Sequence, residues 1–244
     1  MDGQNLTRAS FRITAAMQRL FLIMDRQITA LKAQKRDPNR INVYLEGEFA
    51  FGVSRIVAAW LQVGQFIDEQ KIRTLQEQDA VEVGLQKSLR FLSYRPRSIK
   101  EVKQRLLKYG LSEEQIETVL ERLIHSEMLN DDQFARLWVE NRSEFRPRSH
   151  RLLSLELRQK GISEDEIQAA LNDTKDDSAL AYQAAVRYAR RLNGLEWQMF
   201  RERLSAYLGR RGFDYGTISP VVRQVWEEVS SNQGSEPNSD MKDF

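Results

Sequence analysis

The chain has 244 residues, with 37 Lys and Arg against 35 Asp and Glu, two His and no Cys. That length accommodates one or two domains with a real core, and the missing cysteine excludes a disulfide framework, a thiolate metal site and a cysteine nucleophile. His125 and His150 show neither HExxH nor HxH spacing, so no metal site is expected; the net charge of +2 can hide local segregation, but counted by segment no whole segment is a basic tail.

Residues 1–23 read as a leader, either a mildly amphipathic helix or disordered. The apolar run at 20–24 is too short to span a membrane and is followed at once by Asp25 and Arg26. No signal-peptide pattern is present, so a cytoplasmic location without a membrane partner is expected. Met24 directly precedes a patterned strand and is an alternative start. Residues 24–81 read as a small α+β domain. Residues 28–34 (ITALKAQ), 41–45 and 48–53 alternate apolar with polar side chains, which predicts a three-stranded antiparallel sheet. KRDPN at 35–39 supplies the first turn, and Glu46-Gly47 the second, where glycine provides the positive φ of a tight hairpin. Ser54 is expected to cap a short helix, RIVAAWLQ, ended by Gly64, and a second helix is expected from Asp68 to about Gln78. Lys32, Lys35, Arg36 and Arg40 either mark a nucleic-acid contact or simply solvate a sheet edge.

From residue 82 onward the pattern is helical and repeats. Tyr94-Arg95-Pro96-Arg97-Ser98 recurs as Phe145-Arg146-Pro147-Arg148-Ser149, an offset of 51, and Tyr109-Gly110-Leu111-Ser112 recurs at the same offset as Lys160-Gly161-Ile162-Ser163. Arg211-Gly212-Phe213-Asp214 stands a further 51 residues on. Gly110, Gly161 and Gly212 are placed to end a helix in the left-handed region, with the next apolar residue packing back on the last turn. Ser112, Ser163 and Asp214 then cap the following helix; Glu166 closes a capping box on Ser163, as Glu101 does on Ser98. The expected units are three-helix repeats at 82–129, 130–177 and 178–229, with a disordered tail at 230–244. Each buries its apolar face only against neighbours, so an elongated tandem stack is expected: a mainly α chain behind a small α+β module.

Charge segregates in register with this repeat. Residues 94–110 carry six basic side chains and one acid, 145–161 five and one, and 196–212 four and two, whereas 111–129, 162–178 and 213–229 are net negative. The macrodipole explains acids at helix starts. It does not require cations in three corresponding middle segments, which predicts one basic stripe suited to a polyanion or an acidic groove. Asn130 followed by Asp131 and Asp132 reads as a cap with acids in the first turn, and Phe134 and Trp138 read as core. No phosphate loop, dinucleotide fingerprint, nucleophile elbow or calcium loop is present, so no catalytic residue is assigned.

SLRFLSYRPRS, LLKYGLSEEQI and LNDDQFARLWVENR, with the RQKGIS and RRGFD echoes, resemble the RecX family of regulatory proteins that modulate the RecA recombinase. RINVYLEGEFAFGVS is similar to the strand-containing extension of some members, and the resemblance spans about residues 24–229, weakest in the third repeat. It implies a protein that is not an enzyme, has no cofactor and acts as a monomer. Such a protein would lodge in the groove of the RecA–DNA filament, reduce ATP hydrolysis and strand exchange, and so regulate recombination, repair and the SOS response. DNA, single- or double-stranded, would be met within the filament. A stand-alone helical nucleic-acid-binding scaffold is the alternative. From charge register, the expected contact stripe is Arg95, Arg97, Lys103 and Lys108, then Arg146, Arg148, Arg151 and Lys160, then Arg210 and Arg211.

Overall fold

A computed structural model describes residues 25–233; the leader at 1–23 and most of the tail lie outside the described residues. Strands β1 (Arg26–Ala33), β2 (Arg40–Leu45) and β3 (Glu48–Ser54) form the expected antiparallel meander. Glu46 and Gly47 both take positive φ, 53° and 88°, the mirror-image turn whose twist matches a hairpin. The alternation turns Ile28, Val43, Leu45, Phe51 and Val53 inward, where they are buried. The sheet has four strands rather than three, in the order β3-β2-β1-β4. The extra strand, β4 (Phe66–Ile67), is too short to show periodicity; Gly64 at φ +93° turns the chain so that Gln65 O accepts from Ile28 N at 2.8 Å.

Two helix expectations need correction. Helix α1 (Arg55–Ala58) has one turn, because Ser54 gives no side-chain cap and the chain tightens through Ala59 N to Ile56 O and Leu61 N to Ala58 O. Helix α2 (Glu69–Leu92) is capped by Asp68, but it continues past Gln78 and through the expected boundary at 81/82. No residue there breaks a helix except Gly84, and Gly84 is the contact point: a Cβ on it would stand 2.6 Å from Leu111 Cδ2. Asp79, buried midway along α2, accepts from Ser54 N at 2.5 Å and from Arg40 Nη2 at 2.9 Å, tying the helix to the sheet. Arg40 is thus a half-buried cation paired with Asp79.

The remaining helices are α3 (Ile99–Lys108), α4 (Glu113–His125), α5 (Asp131–Phe145), α6 (His150–Lys160), α7 (Glu164–Asn172), α8 (Asp177–Ala189), α9 (Trp197–Arg210) and α10 (Tyr215–Gln233). Helix α10 runs four residues into the expected tail, since nothing before Gln233 stops it. The glycine stops are as read: Gly110, Gly161 and Gly212 stand at φ +81°, +87° and +89°. Leu111, Ile162 and Phe213 reach back to Leu106, Leu157 and Leu208, closing the turn of each middle helix. Ser112 with Gln115 and Ser163 with Glu166 form capping boxes, and Asp214 Oδ1 accepts from Thr217 N at 2.8 Å.

The chain divides into two compact units, one of the described residues up to Arg95 with Val102–Met128, the other of Pro96–Glu101 with those from Leu129 onward. Inside the second unit two helix-start segments are each held against the end of another helix. At the first turn of α3, Ser98 Oγ donates to Lys160 O and Lys160 Nζ to Glu101 Oε1, both at 2.7 Å. At the first turn of α6, Ser149 N donates to Arg211 O at 3.0 Å and Arg211 Nη1 to Pro147 O at 2.9 Å. Each positive helix start thus abuts the negative end of the next middle helix.

The first residue of a further helix, α5 or α8, completes each joint. Asp131 Oδ1 accepts from Ile99 N at 2.9 Å, and Asp177 Oδ1 accepts from His150 N at 2.7 Å. Burial holds the Asp131 carboxyl above the ordinary carboxylate range, the bond from Ile99 opposing this and Glu166 and Glu101 adding to it. A raised folded pKa means that the ionised form costs stability, so the cost disappears as pH falls through that range. Asp131→Asn keeps an acceptor without the charge; relative to it, the wild type should gain stability on acidification. Asp131→Ala should lose about 1–2 kcal/mol at neutral pH by leaving Ile99 N–H unpaired. Urea melts of both variants across the acid limb check this.

Candidate cationic interface

The ten cations of the expected stripe divide by what they touch. Arg95 and Lys108 in the first unit, and Arg146, Arg151 and Arg210 in the second, are exposed. The other five face the protein. Lys103 Nζ pairs with Glu113 at 2.7 Å, which raises its pKa. Arg97 is half-buried. Lys160 and Arg211 hold the joints, and each also lies over an aromatic ring: Lys160 is 5.3 Å from the centre of Trp138, and Arg211 4.5 Å from that of Tyr207. Arg148 is ion-paired with Glu156.

Glu156 is the hub of the second repeat. It accepts from Trp138 Nε1 at 2.9 Å and Arg142 Nε at 3.2 Å as well as from Arg148. Trp138 packs on the core around Phe134, so the core reading of both residues holds, although the indole also orients this carboxylate. The Arg148 guanidinium is held below its usual range by burial first, then by Arg142, Arg211 and Arg146. Four arginines therefore gather where the second and third repeats join, with one carboxylate among them. Asn130 is the N-cap of α5 and accepts from Gln133 N at 3.0 Å, whereas Asp132 pairs with Arg136 at 3.1 Å, as the capping account of this acidic pair expects.

In the first unit the structure assembles cations and rings that charge counting alone missed. Lys87 Nζ lies 4.3 Å from the ring centre of Tyr109, and the Arg105 guanidinium 5.0 Å from the same ring and 5.5 Å from that of Phe91. Arg105 Nε donates to Tyr109 Oη at 3.0 Å. Arg90 has its pKa raised by the neighbouring Tyr94 hydroxyl. Residues 87, 90 and 91 follow helical spacing on α2, and Tyr94 lies just past its end.

No group of three His, Asp or Glu among the described residues is placed to hold a metal ion, and no described helix is long and apolar enough to cross a membrane.

Four family models match the chain in order: the regulatory protein RecX N-terminal domain at residues 26–68, and the first, second and third three-helix domains of RecX at 85–123, 130–171 and 175–222. The chain belongs to the RecX family. The regulatory protein RecX of Bacillus pumilus is 31% identical over 204 residues, covering 82% of this chain and 78% of the relative. That of Bacillus subtilis is 32% identical over 202 residues, covering 81% and 76%. A crystal structure of regulatory protein RecX superposes with a TM-score of 0.64 at 26% identity, over 83% of this chain and 99% of that one. RecX from Lactobacillus salivarius, at 23% identity and a TM-score of 0.53 over 61% of this chain and 98% of that one, shares the fold. RecX membership makes this chain a regulatory protein built of tandem three-helix domains behind a small sheet.

Proposed function

We propose that the chain binds the RecA recombinase filament on DNA and lowers its ATPase and strand-exchange activity, acting in the cytoplasm as a monomer and by binding alone. The observation that carries this reading is the pairing of two features. Within the second unit the start of α6 is locked to the end of α9, and the outward cations Arg146, Arg151 and Arg210 have no ion-pair partner among the described residues. A rigid row of cations meets a long, regular, acidic surface at many points with little ordering cost. RecX relatives are named as regulatory proteins, and the absence of any acid–base or nucleophile constellation in the sequence fits regulation by contact.

The test uses exposed cations, since reversing Arg148 would set a carboxylate against Glu156 and damage the fold. Arg146→Glu/Arg151→Glu/Arg210→Glu should need on the order of tenfold or more protein to inhibit the DNA-dependent ATPase of the cognate recombinase, at unchanged melting temperature. Unchanged inhibition would remove these residues from the mechanism. Binding to recombinase-coated DNA much tighter than to bare DNA separates filament recognition from a free-standing nucleic-acid scaffold, which would bind both alike with a steep salt dependence.

A further inference from the structure

The face that α2 and α3 present in the first unit combines two chemistries. Lys87, Arg90, Arg105 and Lys108 supply four cations, and Phe91, Tyr94 and Tyr109 supply rings. Lys87 and Arg105 lie against the Tyr109 ring, and none of the four cations is ion-paired to a carboxylate among the described residues. Tyr94 is 71% exposed, so its ring contributes little to the core.

The repeat provides a second, independent observation. Phe145 occupies in the second repeat the place of Tyr94 in the first, at the end of the leading helix, and it is 65% exposed. Each ring is followed by an exposed arginine, Arg95 or Arg146. A large ring left in water at the same position of two repeats, beside a cation each time, is not what packing selects.

We propose that the Tyr94 face of the first repeat is a stacking site for single-stranded nucleic acid, with Phe145-Arg146 as its counterpart in the second. Unpaired bases lie on the exposed rings, while Lys87, Arg90, Arg105 and Lys108 neutralise the adjoining phosphates. An acidic peptide would be satisfied by the cations and would have no use for the rings. A duplex keeps its base faces stacked inside and would likewise use only the cations. Rings alternating with cations, without a carboxylate, fit a strand whose bases are unstacked. The inference rests on the reading above in taking nucleic acid as a partner, but its test contains no recombinase, so the two fail separately.

The experiment measures fluorescence anisotropy of the full chain on a labelled dT oligomer of about 20 nucleotides and on a duplex of equal length. Tyr94→Ala should bind the dT oligomer roughly tenfold more weakly, and Tyr94→Ala/Phe145→Ala more weakly still, with duplex binding unchanged. Tyr94→Phe should restore most of the loss because it keeps the ring. Arg90→Gln/Arg105→Gln should instead flatten the salt dependence by about 0.7 in slope for each charge removed. Circular dichroism confirms that each variant is folded. No dT binding by the wild type, wild-type dT binding by folded Tyr94→Ala, or equal losses on dT and duplex would each overturn the proposal.

Discussion

Gly212→Ala and Gly161→Ala are expected to lower the stability of the second unit by about 3–4 kcal/mol each, whereas Gly110→Ala costs its own unit only about 1–2 kcal/mol. All three glycines end a middle helix in the same left-handed conformation, at φ +89°, +87° and +81°, so the intrinsic backbone cost of a Cβ is shared. The difference is what each Cβ would meet. At Gly110 there is nothing within 4 Å. At Gly161 a Cβ would stand 2.8 Å from Lys100 Cβ, and at Gly212 it would stand 2.5 Å from Ser149 Oγ and 2.8 Å from Leu152 Cβ. Neither neighbour can swing away, because both Cβ atoms are fixed to the first turn of a helix and Ser149 Oγ accepts from Leu152 N. Relief requires moving the helix start, which separates Ser149 N from Arg211 O or Ser98 Oγ from Lys160 O. Thermal melts read by circular dichroism, each followed in the transition of the unit that carries the glycine, should show a drop of roughly 6–12 °C at the joint positions. Equal losses at all three positions would mean that the joints are not tightly packed.

This contrast also marks where sequence reasoning reached and where it stopped. The left-handed stops, the serine caps and the buried faces were legible because each is a short-range device with its own residue type: glycine at the stop, serine at the cap, leucine at helical spacing. That Gly161 and Gly212 serve a joint while Gly110 does not requires knowing which helix end meets which, and that contact spans about sixty residues, as in Ser98 to Lys160. The sheet shows the same limit. Its three alternating strands were readable, whereas β4 exists because Gly64 returns the chain against β1. Helix α2 runs past the expected end near Gln78 because nothing before Leu92 stops it, and Gly84 inside it is where its backbone admits Leu111.

For the interface, the legible quantity was total charge per element; the use of each charge was not. Net charge treats Arg148 and Arg151 alike, yet three residues apart on one turn the first is drawn onto Glu156 and the second projects into water. Lone acids inside basic segments are the signal that separates such cases. Glu101 and Glu156, the single acids of their segments, are the partners of Lys160 and Arg148. A carboxylate that stands alone among five or six cations has a specific counterpart, while other cations of the same segments, such as Lys103 and Arg158, pair with acids of the following helix.

Glu156→Ala should accordingly cost about 3 kcal/mol, one of the largest single side-chain effects in the second unit. The carboxylate side chain is 13% exposed, and its partners Arg142 and Arg148 are 22% and 32% exposed. Removing it leaves the Trp138 N–H without its acceptor and two half-buried guanidiniums facing one another, with Arg146 and Arg211 adding to the repulsion on Arg148. Deleting one partner of a fully buried pair costs about 3–5 kcal/mol, and the access of water to Arg148 places the expected value at the lower edge of that range. Glu156→Gln should lose about half as much, since the amide oxygen still accepts from Trp138 but the charge is gone. Arg148→Met, in turn, removes the cation that Glu156 would leave unpaired. In the double variant Glu156→Ala/Arg148→Met the loss should therefore fall short of the sum of the singles by about 1 kcal/mol or more, a coupling that a double-mutant cycle of urea melts reads directly. Additive losses would show that Glu156 does not act through Arg148. Glu156→Gln adds a net positive charge at the joint, so it should bind a dT oligomer more tightly than the wild type even as its melting temperature falls.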